Sequence, residues 1–177
     1  ALTGHRAAFF IFDCVNRNLL AHKVLKEGIN GKIYWAIKSL YSATRSCVRV
    51  NNYYTDWFDC SSGVKQGDTL SPTLFALYIN DLAVGINSLN KGITVGNISI
   101  SILLYADDVV LVADKENDLQ EMLSLLHAWS QKWLLDINFT KSNVLHFRRK
   151  NKNRSQVQFK VGDHSLKYKD QYKYLGV

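Results

Sequence analysis

Proline is all but missing: Pro72 is the only one in 177 residues. No proline-rich or other low-complexity linker divides the chain and no internal repeat is visible, so its length is that of one domain. Cysteine is scarce too. Cys14, Cys47 and Cys60 are odd in number and widely spaced, with no C-x-x-C. That argues against a disulfide framework or a zinc site and points to a reducing, intracellular compartment, nucleus or cytoplasm. The five histidines show no metal-ligand spacing. No apolar run approaches the roughly 18 residues that a spanning helix needs, so no membrane partner is expected. The early "AAFFIF" is too short for a signal peptide and lacks its basic flank. The chain opens on alanine rather than methionine and closes on "YKYLGV", from which we expect a piece of something longer.

What is present is a globular composition. Hydrophobic residues make up 47% of the chain, too many for disorder and enough for a real core. The net charge is +7 and the pI about 9.3. A basic surface of this kind favours an anionic partner, with nucleic acid first in line.

The hydrophobic pattern predicts a mixture of strands and helices without βαβ regularity, an α+β class. "AAFFIF" reads as a buried strand. "CVNRNLLAHKVLKEG" reads as a helix capped by Asp13, with Leu19, Leu20, Val24 and Leu25 as its buried stripe. "GKIYWAIKSLYSA" reads as a second helix. "SCVRVNNYYTDWFDCSSGV" reads as two strands turning near Asn51–Asn52. "TLFALYINDLAVGINSL" is a third helix, opened by Ser71 and Pro72. In "GNISISILLYADDVVLVAD", Ile98, Ile100 and Ile102 alternate with serines, the mark of a half-buried strand. The clearest helix follows: Leu119, Met122, Leu123, Leu126, Trp129 and Trp133 recur every three or four residues, and Asn117 with Gln120 form a potential capping box. "SNVLHF" and "QVQFKVG" read as strands around the basic loop "RRKNKNRS". That loop is either a phosphate contact or a solvated connection.

One stretch resists a purely structural account. In "ILLYADDVVLVAD", two adjacent carboxylates, Asp107 and Asp108, sit between runs that both want burial. Acidic residues are common in turns. Held beside a packed sheet, however, two like charges repel. A divalent cation removes that cost, and hard carboxylate oxygens suit Mg²⁺, which keeps waters and borrows ligands from substrate phosphates. Phosphoryl or nucleotidyl transfer is the chemistry that uses such a pair, with two metals about 3.5–4 Å apart clamping the attacking and leaving oxygens.

"YADD" within a hydrophobic hairpin resembles the catalytic motif of reverse transcriptases. Four further segments match in order. "FDCVNRNLL" is similar to the second half of the first catalytic motif. "SSGVKQGDTLSPTLFALYINDL" resembles the motif that supports the template and incoming nucleotide, in the form found in non-LTR, LINE-type retrotransposons. "WLLDINFTKSNVLHF" resembles the motif that follows YADD, and "YKYLGV" the start of the primer grip. The likeness covers essentially the whole chain.

The resemblance implies a polymerase palm, an antiparallel sheet backed by helices, with fingers and thumb absent from residues 1–177. It implies an RNA-directed DNA polymerase, a nucleotidyltransferase of a transposable element, working with Mg²⁺ or Mn²⁺ on an RNA template, a DNA primer and a dNTP. Asp107 would be a metal ligand and Asp108 a second carboxylate of the site. Tyr105 and Ala106 would set the turn beneath the primer end. Gln66 and Gly67 would lie near the template–nucleotide pair. Phe12 is either the steric gate against a ribose 2′-OH or a core phenylalanine. Lys141 is either the general acid for pyrophosphate or a solvated lysine after a turn.

One departure stands out. The family's first motif reads roughly D-x-x-x-A-F-D, and its first aspartate, which bridges the two metals, falls on Ala7. Asp13 matches the second, non-catalytic aspartate. With one of three metal carboxylates missing, impaired catalysis is expected. The alternative to an active polymerase palm is therefore a relic, inactive but retaining nucleic-acid binding. An RNA-templated RNA polymerase shares the paired aspartates but fits the other motifs poorly.

Overall fold

The computed structural model describes residues 14–148, 153 and 155–171. They fall into two compact units, one from residues 14–78 and one from 79–171.

The first unit starts with α1 (Arg17–Lys26) and α2 (Gly31–Ser42). Asn16 caps α1, its Oδ1 accepting from the backbone N–H groups of Asn18 and Leu19 at 3.0 and 3.1 Å. The cap is thus Asn16 and not Asp13, which lies outside the described residues. An Asn at this position satisfies two of the free N–H groups that any helix start leaves. The buried face of α1 also differs from expectation: Leu20, Lys23 and Val24 are buried, whereas Leu25 is exposed. Lys23 tolerates burial because its ammonium donates to the Tyr78 carbonyl and lies 4.6 Å from the centre of the Tyr78 ring.

After α2 the chain forms a narrow ribbon from β1 (Arg45–Ser46), β2 (Arg49–Val50), β3 (Tyr53–Tyr54) and β4 (Phe58–Asp59). β1 pairs with β4 and β2 with β3, both antiparallel. The expected turn at Asn51–Asn52 is present, with Asn51 at φ 55°, a conformation asparagine accepts more readily than most residues. α3 (Ser71–Ser88) follows. Its Leu74, Phe75 and Tyr78 are buried in this unit.

The second unit begins with the rest of α3. β5 (Ile93–Val95) and β6 (Ile98–Ile100) make one hairpin, β7 (Ile102–Tyr105) and β8 (Asp108–Leu111) the next. The alternation read in the isoleucines holds only in part, because Ile98 is exposed while Ser101 is buried. α4 (Glu116–Trp133) buries all six residues of its predicted stripe. It ends on Leu134 in the left-handed region, φ 51°.

The capping box does not form: Lys115 occupies the cap position without a side-chain bond. Gln120 faces outward instead. Its Nε2 donates to the carbonyl of Lys160 at 2.8 Å and its Oε1 accepts from the Lys160 N–H at 3.0 Å. Nearby, Lys91 reaches Asp118 and Glu121 at 3.0 and 2.9 Å, and Glu121 together with Asp118 holds the ammonium pKa above its ordinary value.

β9 (Asn143–Leu145), β10 (Lys160–Val161), β11 (His164–Ser165) and β12 (Lys167–Lys169) complete the described residues. β10 and β11 form a hairpin whose turn needs Gly162. Its φ is +57°, and a Cβ there would lie 2.7 Å from the His127 ring. β12 pairs with β9 in parallel. Helices and small, mostly antiparallel ladders make the chain α+β, as expected. Among the described residues the strands pair two by two rather than in one wide sheet. No helix among them is long and apolar enough to cross a membrane.

Candidate active site

The paired carboxylates sit where the sequence put them, at the tip of the β7–β8 hairpin. Ile102 faces Leu111, Leu103 faces Val110, Leu104 faces Val109, and Tyr105 faces Asp108. This register leaves a two-residue turn, Ala106–Asp107. Such turns match the twist of the flanking strands when φ is positive at the first residue, which normally selects glycine. Here it is Ala106, at φ 49°. An L-residue in this region costs about 1–2 kcal/mol, and strain of this kind gathers at functional sites. The stem supplies the restoring force: Val109, Val110 and Leu111 are all buried, at 2, 4 and 0% exposure. Asp107 and Asp108 are half-buried, and Tyr105 is exposed. The tip is thus a strained turn on a rigid stem, presenting two adjacent carboxylates.

These carboxylates supply hard oxygen donors of the type Mg²⁺ and Mn²⁺ take. Among the described residues no group of three or more His, Cys, Asp or Glu side chains is gathered around a point. Carboxylates of this kind suit an ion that takes further oxygens from water and phosphate.

Lys141 belongs to the same unit. Its side chain is exposed, and its backbone is fixed by Asn138, whose carbonyl and Oδ1 both accept from the Lys141 N–H at 3.2 Å. Phe12 and Ala7 lie outside the described residues, as do most of the basic run and "YKYLGV".

Gln66 and Gly67 belong to the first unit, in the loop between β4 and α3. Gly67 has φ +81° with open space around its Cα, so the backbone conformation, not crowding, calls for glycine. Asp68 then turns the chain into α3, its Oδ1 accepting from the Leu70 N–H at 3.0 Å. Pro72 falls in the first turn of α3, where a missing N–H costs nothing. Gln66 lines a cavity of about 650 Å³ within this unit, together with Arg17, Arg45, Asp59 and Lys65. The one acid among these, Asp59, is paired with Arg45 at 3.4 Å, so the cavity is cationic.

Arg17 is the residue that sequence reasoning missed. Its Nε donates to the carbonyl of Gly63 at 2.9 Å and its Nη2 to that of Ser62 at 3.0 Å. Nη1 is shared among the carbonyls of Tyr41 at 3.2 Å and Cys60 at 2.5 Å and the hydroxyl of Thr44 at 2.5 Å. The available signal was a cation in the first turn of a helix that has no acid there. The helix dipole disfavours that placement, so something else must hold the charge.

Comparison with known proteins identifies the family. Residues 10–177 match the family model described as reverse transcriptase (RNA-dependent DNA polymerase). The chain is 31% identical, over 94% of its length, to the Retrovirus-related Pol polyprotein from type-1 retrotransposable element R2 of Nasonia vitripennis. It is 27% identical to the RNA-directed DNA polymerase from mobile element jockey of Drosophila funebris, again over 94% of its length. It is 29% identical, over 94%, to the probable RNA-directed DNA polymerase from transposon BS of Drosophila melanogaster. The chain spans only 17, 18 and 18% of these relatives, respectively. It belongs to the reverse transcriptase (RNA-dependent DNA polymerase) family, with its relatives in non-LTR retrotransposons.

Proposed function

We propose that the chain is the palm portion of an RNA-directed DNA polymerase, in which a primer 3′-OH attacks the α-phosphate of a dNTP and pyrophosphate leaves. The observation that carries this reading is the β7–β8 tip. A strained Ala106 and a buried stem present Asp107 and Asp108 together, in a chain of this family. Divalent ions, when bound, offset charge on the attacking and leaving oxygens. Asp107 would hold such an ion, and Asp108 would support it as a second carboxylate. Tyr105 and Ala106 fix the turn beneath the primer end. Gln66 and Gly67 meet the template–nucleotide pair, where glycine lets the backbone approach closely. Phe12 excludes a ribose 2′-OH. Lys141 passes a proton to the departing pyrophosphate.

A second reading rests on Ala7, which the resemblance aligns with the first aspartate of the family's first motif. In it the chain is an inactive relic that retains nucleic-acid binding. Primer extension on an RNA template with Mg²⁺ and dNTPs separates the two. Incorporation that Asp107→Asn abolishes supports the polymerase. Salt-dependent binding of the template–primer with no incorporation supports the relic. If only Ala7→Asp in a chain extended by fingers and thumb restores synthesis, the defect is located at the first motif.

A further inference from the structure

Arg17 connects parts of the first unit that are far apart in sequence. Three of its acceptors, the carbonyls of Cys60, Ser62 and Gly63, lie in the segment leading into Lys65–Gln66–Gly67. The other two, the Tyr41 carbonyl and the Thr44 hydroxyl, lie at the end of α2 and just after it. The segment is also tied from the backbone: Gly63 N–H donates to the Val15 carbonyl and Cys60 N–H to the Thr44 carbonyl, both at 2.8 Å. The far end of the same loop returns to Tyr41, whose hydroxyl lies 3.1 Å from Ser71 Oγ at the start of α3. The Tyr41 ring lies 5.4 Å from the Arg17 guanidinium and 5.7 Å from the Lys65 ammonium. Residues 64–70 are therefore strung between two anchors that share one tyrosine. A planar five-donor fork can span these divergent carbonyls, which a lysine cannot do.

We propose that Arg17 is a positioning residue for this loop: by gripping the carbonyls of residues 60, 62 and 63 it sets where Gln66 and Gly67 stand, and through them how well a complementary dNTP is held. The inference rests on the polymerase reading above. Arg17 acts through the backbone it holds and itself touches no reacting atom. Its position at the start of α1, against the helix dipole, agrees with a role in the loop and not in the helix.

The test compares the full chain with Arg17→Gln, Arg17→Lys and, as a charge-matched control on the same helix, Lys26→Gln. The first readout is amide hydrogen exchange. Arg17→Gln raises exchange in peptides covering residues 60–67 about tenfold and leaves residues 102–111 unchanged; Arg17→Lys is intermediate, and Lys26→Gln matches wild type. The second readout is dissociation of a labelled RNA template–DNA primer chased with unlabelled duplex, with complementary or non-complementary dNTP present. Arg17→Gln loses about tenfold of the wild-type preference for the complementary dNTP.

Unchanged exchange at 60–67 overturns the proposal. So does an equal rise at 60–67 and 102–111, which shows general destabilisation only, and so does a local rise with the dNTP preference intact. A wild-type chain without any dNTP preference sinks the polymerase reading instead. That outcome is separable because the exchange measurement uses no nucleotide.

Discussion

The two regions that the proposed function uses, one in each compact unit, are held by opposite means. The β7–β8 hairpin is positioned from beneath: paired strands and a buried Val109–Leu111 stem fix a two-residue turn, and the strain at Ala106 is the cost of its shape. The Gln66–Gly67 loop has no ladder of its own. It is tied from the side, by the Arg17 guanidinium, by Tyr41 and by backbone bonds from Gly63 to Val15 and from Cys60 to Thr44. A hairpin stem transmits rigidity through many small contacts, so no single side chain beyond the turn is decisive. A loop tied by a few long-range bonds concentrates the same job in a few residues. Under the proposed function the hairpin serves chemistry, which requires the first kind of precision because ligand oxygens must not wander. Recognition of a changing template base can use the second.

That contrast can be broken at four points. The largest effect belongs to the hairpin. Asp107→Asn lowers incorporation in primer extension by at least about a thousandfold, some 4 kcal/mol of transition-state stabilisation, while template–primer affinity stays near wild type. A matching loss of affinity would mean that the carboxylate serves binding and not chemistry.

Salt comes next, and it tests whether binding depends on either region. With four or five phosphates neutralised, log K falls against log salt with a slope of about −4, so a fourfold rise in salt costs roughly 250-fold in affinity. The same slope in Asp107→Asn and in Gln66→Ala shows that dispersed charge carries the affinity. A flat salt profile contradicts phosphate contacts altogether.

Gln66→Ala is expected to weaken dNTP use about tenfold through KM with kcat little changed, the mirror image of Asp107→Asn. Equal losses in kcat and kcat/KM would move Gln66 into the chemistry.

The smallest effect is Ala106→Gly. Relief of about 1–2 kcal/mol of left-handed strain, less about 0.5–1 kcal/mol for the entropy of glycine, leaves a gain of about 0.5–1 kcal/mol in denaturant unfolding. A stability loss there would show that the turn is not strained. Mg²⁺ or Mn²⁺ titration followed by NMR complements this variant, with shifts at residues 105–110 appearing first in wild type; shifts scattered over other surface acids would remove the metal assignment.

Much of this was legible in the sequence, for reasons that can be named. The α4 stripe is a one-dimensional signal, because six large apolar residues at helical spacing have one way to be buried. The β7–β8 hairpin was legible because its strands lie on either side of a two-residue turn. What stayed hidden depends on partners distant in the chain or lacking side-chain identity. Arg17 bonds backbone carbonyls up to 46 residues away, and every residue has a carbonyl. Leu25 was assigned to a buried stripe and Lys23 was not, because a lysine becomes a core residue only when a carbonyl and a ring wait for it. The α4 capping box failed because Gln120 found a better use 40 residues away.

That use has a consequence for how the molecule behaves in a crowd. Among the described residues β10 pairs with β11 alone, and the N–H and carbonyl of Lys160 point away from that partner. A bare edge is a template for another chain to add itself. The primary amide of Gln120 has the donor and acceptor of a peptide bond and occupies both the N–H and the carbonyl of Lys160. One side chain thus serves as a counterfeit strand one residue long, closing the edge at Lys160 to outside strands. Removing it, as in Gln120→Ala, exposes a site for self-association, so the damage would appear first as aggregation on concentration and only later, if at all, as lost fold.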